Sequence, residues 1–254
     1  MLDSALSARL AAAGLDWIVP DWPAPAGIRA LSTTRNGRAG ASFDVARDQP
    51  AFDAARDELM RWLPAAPIWL DQVHGVAMCD ADQARAAARS GPLVADGAVA
   101  RVSGVVCAVR SADCLPVLLC DRRGSVVATA HAGWRGLAAG VLEEALIAMR
   151  TAPTEVCVWL GPAIGPRAFE VGADVLAAHC AADPGAAQCF EPHRPGKWLA
   201  DLYALARRRL RRAGVEAIHG GGRCTVTEGA TFHSYRRDGA AAGRMATLIW
   251  LAAD

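Results

Sequence analysis

Helical and extended hydrophobic patterns alternate along the whole chain. Residues 3–13 carry an amphipathic pattern that opens at Asp3 or Ser4 as cap and stops at Gly14, and residues 28–33 read as a strand ending before Asn36-Gly37. Further helical patterns are predicted at 51–62, 80–89, 134–150, 172–181 and 198–213. Strand-like runs fall at 67–70, 104–110, 115–131, 155–160, 215–219 and 245–251. This is a mixed α/β order. The Gly-Gly-Gly at 220–222 is a short loop between strand candidates, and with no repeat and no linker a single domain over 1–254 is expected.

The sharpest local pattern is LPVLLC, DRRG and SVVATAH over 115–131, two β-rich runs around a turn. It reads as a hairpin. With Arg122 and Arg123 as the central turn residues, Asp121 faces Gly124, and counting outward pairs 120 with 125, 116 with 129 and Cys114 with His131. Directly opposed residues hold their Cβ atoms about 4.5–5.5 Å apart, which suits two ligands of one metal or a thiolate and its base. Upstream, Asp71-Gln72-Val73-His74-Gly75 follows the apolar run Pro67-Ile68-Trp69-Leu70 and places His74 at a strand end. His74, Cys114 and His131 then form a candidate zinc set. One thiolate and two neutral imidazoles suit a borderline-soft ion, and three protein ligands leave a position for water or substrate. A Cys-His pair working without metal fits the same arithmetic.

Composition changes this picture little. The chain has 254 residues, 53% hydrophobic and 21% charged, the profile of a folded globular protein with a core large enough to need no staples. Net charge is +1, which gives no reason to expect nucleic acid or an anionic membrane as partner. No apolar run reaches the length of a spanning helix, and Asp3, Arg9 and Asp16 interrupt the start where a signal peptide would be continuously apolar. A cytoplasmic protein is the expectation, and there eight cysteines are free thiols. Cys79, Cys107, Cys120 and Cys157 sit in apolar runs and read as core, Cys180, Cys189 and Cys224 are unassigned, and His179, His193, His219 and His233 have no evident partner.

Other polar groups gather around the hairpin. Ser111-Ala112-Asp113 precedes Cys114, and His131-Ala132-Gly133-Trp134-Arg135-Gly136 opens the predicted helix, whose first-turn N–H groups and Arg135 could hold an anion such as phosphate. The stiff loop Gly161-Pro162-Ala163-Ile164-Gly165-Pro166 leads to Glu170, and Arg236-Arg237-Asp238-Gly239 offers guanidinium forks. The run Arg207-Arg208-Arg209-Leu210-Arg211-Arg212 lies late in a helix, where cations favour the dipole, and reads as a solvated face.

Taken together these segments resemble the YfiH-type family, which carries the names laccase domain, polyphenol oxidase and purine nucleoside phosphorylase. The matching stretches are STTRNG at 32–37, DQVHG at 71–75, ADG at 95–97, SADCLPVLLCD at 111–121, HAGWRGLAAGV at 131–141, LGPAIGPRAFEVG at 160–172, DLYALARRRLRRAGV at 201–215 and CT at 224–225, followed by FHSYRRDG and GRMATLIWL. The chain departs from the family over 38–53, where many members have a longer stretch, and at Phe232-His233, where two phenylalanines are usual.

The resemblance implies an α/β (α+β) fold arranged as one four-layer α/β/β/α sandwich of mixed sheets, related to cysteine-dependent toxin hydrolases. It implies zinc on His74, Cys114 and His131, with copper as the alternative metal. The implied substrates are purine nucleosides and phosphate: phosphorolysis of adenosine, inosine, guanosine and methylthioadenosine, with deamination of adenosine. Arg35, Arg135 and Arg236 are then candidates for phosphate or ribose, and Asp96, Asp113 and Glu170 for ribose or proton transfer, with Cys114 and His131 at the chemistry. The rivals are copper-dependent oxidation of phenols, hydrolysis or editing of cell-wall precursors with Cys114 as nucleophile and His131 as base, and a zinc-stabilised binding module, which would show four protein ligands. A monomer or small homo-oligomer is expected.

Overall fold

Four strands that the sequence marks by unbroken apolar runs, Val106–Ser111, Leu115–Asp121, Val156–Leu160 and Met245–Leu251, are buried along nearly their whole length. A strand buried on both faces has no polar side to show, so its sequence does not alternate. The structure, a computed structural model that describes residues 4–46, 52–87 and 93–253, supplies the two covering layers for each.

Three packed interfaces stack on one another. Leu6 and Leu10 of the helix Ser4–Ala12 and Leu59 of the helix Phe52–Met60 lie against Leu31, Val106, Ala108 and Leu248. The next residues along the same strands, Ala30, Cys107, Val109 and Ile249, turn the other way and meet Leu118, Cys120, Cys157 and Trp159 of a second sheet. That second sheet presents Val117, Leu119, Ala128, Ala130 and Val158 on its far side to Leu142, Ala145 and Met149 of the helix Val141–Met149 and to Leu205 and Leu210 of the helix Leu202–Arg212. The period of two along a strand thus feeds two cores at once. The result is the four-layer α/β/β/α sandwich.

The first sheet is antiparallel, with Met245–Leu251 between Ile28–Ser32 and Val106–Ser111. The second runs in the order Ala217–Gly220, Val156–Leu160, Leu115–Asp121, Val127–Ala132, Gly97–Ala100, Met78–Asp80, antiparallel in its middle and parallel at both edges. A small antiparallel sheet of Glu170–Gly172, Lys197–Ala200 and Phe190–Arg194 stands apart, and Leu70–Asp71 pairs with Leu93–Val94.

Several boundaries differ from the pattern-based expectation. The single helix expected over 134–150 is two, Trp134–Ala139 and Val141–Met149, because Gly140 between them takes φ 108°, a left-handed conformation that glycine adopts without steric cost. Residues 198–200 belong to a strand rather than to the following helix, since Asp201 caps that helix by accepting the N–H of Ala204 at 2.9 Å. Asp3, residue 51, and residues 88 and 89, the outer ends of three predicted helices, lie outside the described residues, as does 47–51 of the stretch that departs from the family.

The hairpin register also needs correction. Its turn is a four-residue loop, 122–125, closed by the Asp121 carboxylate, which accepts the N–H groups of Ser125 and Val126 at 2.7 and 3.0 Å and the Ser125 hydroxyl at 2.6 Å. The observed pairs are Cys120 with Val127, Leu118 with Thr129 and Pro116 with His131. The slip is two residues, an even number, so every side chain keeps its face. Pro116 stands opposite His131, and Cys114 lies diagonal to it rather than across.

Leu118 is fully buried between the two sheets. Leu118→Ala should destabilise the protein by about 2–5 kcal/mol, read as a lower midpoint in urea unfolding with little change in slope.

Candidate metal centre

Three segments deliver one potential donor each. His131 sits near the end of Val127–Ala132, Cys114 immediately before Leu115–Asp121, and His74 in the loop after Leu70–Asp71. One donor atom from each lies within 4.8 Å of the other two. Cys114 Sγ is 3.7 Å from His74 Nε2, and the two imidazole rings are 4.9 Å apart at 69°. His131 is buried, Cys114 half-buried and His74 exposed, so the cluster opens outward on the His74 side. It is the only group of three such donors among the described residues.

Asp96 holds this arrangement together from beneath. Its carboxylate is wholly buried and accepts the backbone N–H groups of Val73, His74 and Gly75 at 3.2, 2.9 and 2.6 Å. The same carboxylate takes the Nδ1 proton of His131 at 2.9 Å, and its own backbone carbonyl accepts the His131 N–H at 2.7 Å. Fixing Nδ1 as donor leaves Nε2 of His131 as the lone-pair nitrogen of the neutral ring. His74 itself has φ 61°, a strained value for a residue with a Cβ, and the three N–H bonds to Asp96 over-determine that conformation. Gln72 anchors the loop at its other end: its side-chain amide donates to the Arg110 carbonyl and accepts the Arg110 N–H, both at 2.8 Å, as a paired strand residue would. Gly133 completes the fit, for a Cβ there would stand 2.8 Å from His74 Cδ2 and 3.0 Å from Cys114 Sγ.

The model of the family described as multi-copper polyphenol oxidoreductase laccase matches residues 30–252. The chain belongs to this family. It is 50% identical over 244 residues to a purine nucleoside phosphorylase of Pseudomonas aeruginosa, covering 92% of this chain and 98% of that one. It is 48% identical to the purine nucleoside phosphorylase YfiH of Escherichia coli, with the same coverages. The crystal structure of a Neisseria meningitidis protein of family DUF152 superposes with a TM-score of 0.86 at 48% identity, covering 94% of this chain and all of that one. YlmD from Geobacillus stearothermophilus gives 0.81 at 29% identity, covering 90% and 93%.

In this laccase-like, YfiH-type chain the electrostatics suit a metal. Burial pushes the Cys114 thiol up, but the charge of His131 and hydrogen bonds from His131 and His74 outweigh it and bring the thiol down to about 6. Burial pushes His131 down, and the Cys114 thiolate and the Asp96 hydrogen bond reverse that and lift it to about 9. Burial alone would also raise Asp96, yet the His131 and backbone hydrogen bonds hold its carboxyl below the usual range. The pair therefore sits as thiolate and imidazolium at neutral pH. A soft anion and two nitrogens are a donor set that a divalent ion can take in exchange for one proton.

The remaining candidate residues surround this centre in different states of engagement. Both Asp113 oxygens are occupied, one by the Thr225 hydroxyl and one by the Arg236 N–H, each at 2.5 Å, and the Asp113 carbonyl accepts the N–H of Ile164 at 2.9 Å. With φ 86° it is the second strained non-glycine residue at the site. Glu170 is clamped by the fork of Arg194 at 2.6 and 2.5 Å, with His193 at 3.6 Å, and Arg194 holds its carboxyl below the ordinary range. Arg35 donates to the Gly229 carbonyl at 2.8 Å, and Arg236 donates to the Glu170 carbonyl at 3.1 Å. Arg135 is exposed and leans over Trp134 at 4.3 Å. Gln72, Gly133, Thr225 and Arg194 escaped the sequence reading, although the first three lie inside the motifs quoted for the resemblance.

The arginine run differs from the solvated face expected. Arg207 donates to the carbonyls of Ile218 and Gly220, Arg208 and Arg212 pair with Asp183, and Arg209 pairs with Glu143. Among the unassigned histidines, His233 contacts the Phe43 carbonyl at 2.8 Å through Nε2. Cys107, Cys120 and Cys157 lie in the core between the sheets, as their apolar surroundings implied.

Asp96→Asn keeps the size of the side chain but turns one acceptor into a donor facing N–H groups. It should weaken metal affinity about 10- to 100-fold, measured by competition with a chromogenic chelator. Because His131 must lose its proton to bind metal, affinity should rise about tenfold per pH unit between pH 7.5 and 8.5 and level off above about 9; the same titration followed across pH checks this.

Proposed function

We propose that this protein is a zinc-dependent purine nucleoside phosphorylase of the cytoplasm, acting on adenosine, inosine, guanosine and methylthioadenosine, with adenosine deamination as a second reaction in the same pocket. The observation that carries the reading is the His74, Cys114, His131 cluster, its donors within 4.8 Å, in a chain half identical to relatives named purine nucleoside phosphorylase. No helix among the described residues is long and apolar enough to cross a membrane.

Cleaving the N-glycosidic bond with phosphate builds positive charge on the ribose and negative charge on the base. Zinc on the three ligands would supply Lewis acidity at that pocket. Arg135, exposed with its guanidinium over the Trp134 ring, is the group we assign to phosphate. Arg236, exposed and with its backbone N–H fixed on Asp113, we assign to ribose or phosphate, and Arg35, which holds the Gly229 carbonyl, to the same task. Asp96, Asp113 and Glu170 already carry hydrogen bonds to the protein, so we assign them positioning roles: Asp96 orients the ligands, Asp113 joins the rim loops, and Glu170 anchors Arg194. Cys114 and His131 stand at the reacting centre.

One observation favours a second reading. Cys114, His131 and Asp96 stand in line as thiol, imidazole and carboxylate, the relation used by cysteine hydrolases. The family description favours a third, copper-dependent oxidation of phenols. Reduction of oxygen by copper ordinarily draws on several coupled ions, whereas the described residues offer one three-donor site.

The zinc-loaded protein, incubated with inosine or adenosine, should release hypoxanthine or adenine and ribose 1-phosphate only when phosphate is present. Cys114→Ala should lose at least about 100-fold of that rate. Untouched nucleosides in the presence of bound zinc would sink the phosphorylase reading. Turnover that survives complete chelation would point instead to the metal-free cysteine pair.

A further inference from the structure

Only a few large apolar side chains are exposed among the described residues, and two of them are attached to the metal site. Val73, 60% exposed, is the neighbour of His74, and Tyr235, 55% exposed, is the neighbour of Arg236, whose N–H is bound to Asp113 beside Cys114. A single exposed tyrosine ordinarily needs no explanation. This one stands on a backbone fixed on every side. Ser234 before it is fully buried and caps the turn by accepting the Arg237 N–H at 3.2 Å, Asp238 N–H donates to the Ser234 carbonyl at 2.9 Å, and Arg236 after it is tied to Asp113 at 2.5 Å. The ring itself has the Arg244 guanidinium 5.8 Å away over its face. A rigid mount that leaves an aromatic face in solvent, joined by two consecutive hydrogen-bonded residues to a metal ligand, is the arrangement that receives a flat ring.

We infer that Tyr235 is the stacking platform for the substrate's base, with Val73, exposed beside His74, as a second apolar surface. This rests on the proposed phosphorylase reading and adds to it a residue that sets substrate class. Stacking on the ring discriminates little among purines, because every base offers a π-face. The platform therefore accounts for one pocket that takes adenosine, inosine and guanosine alike. It acts in the ground state and the transition state equally, so it governs binding rather than the chemical step.

Inosine binding to the zinc-loaded full chain without phosphate, by calorimetry, and its turnover with phosphate are to be compared in wild type, Tyr235→Ala and Tyr235→Phe. Tyr235→Ala should raise both Kd and KM about 10- to 100-fold while kcat stays within about threefold, and Tyr235→Phe should stay within about twofold of wild type in all three. Melting temperature and bound zinc should be unchanged in both variants. Unaltered Kd in Tyr235→Ala overturns the inference, as does a loss of kcat in Tyr235→Phe, which would give the hydroxyl rather than the ring the leading role. Failure of the phosphorylase reading is separately visible. Wild type would then be inert to inosine, and a catechol probe that binds wild type but not Tyr235→Ala would uphold the platform for a different flat ring.

Discussion

One buried carboxylate carries most of the site. Asp96 gathers four hydrogen bonds onto two oxygens, three from consecutive backbone N–H groups and one from the His131 ring. A buried carboxylate without donors would be protonated or expelled, and here each donor compensates part of the desolvation. The exchange works in both directions. Asp96 is stabilised as an anion, and in return it fixes the His74 loop in a left-handed turn, sets the tautomer of His131, and places a negative charge where it supports a cation. Gln72 extends the same logic by borrowing the strand Val106–Ser111 as an anchor for that loop.

The same device recurs on the other flank. Asp113, also strained, draws together the loop containing Ile164, the Thr225 hydroxyl and the backbone at Arg236. Two acidic residues that the sequence offers for ribose or proton transfer thus both turn their oxygens to hydrogen bonds within the protein. The carboxylates organise loops contributed by distant stretches of chain, and the exposed arginines, the tyrosine and His74 are what those loops present to solvent.

Much of this was legible beforehand. Apolar runs at 245–251, 155–160 and 104–110 are strands because a doubly covered strand has nothing to alternate. The meeting of Cys114 and His131 was legible through the hairpin even though its register was not. A two-residue turn was the simpler reading of DRRG, and the Asp121 side chain overrode it by closing a four-residue loop, but an even slip preserves faces and left Cys114 and His131 as neighbours. What could not be read was anything that depends on side chains finding partners far along the chain: Gln72 imitating a strand residue against Arg110, Asp113 clamped by Thr225, Glu170 held by Arg194. Nor do small residues such as those of Gly97–Ala100 announce a central strand, since their apolar signal is too weak for pattern reading.

The loops that carry His74 and Cys114 are held by protein groups. Because Asp96 and Gln72 fix the donors through hydrogen bonds of their own, the protein itself sets where the three donors stand. Donors held in this way need little rearrangement of the chain to meet an ion, so the cost of shaping the site falls on folding rather than on binding.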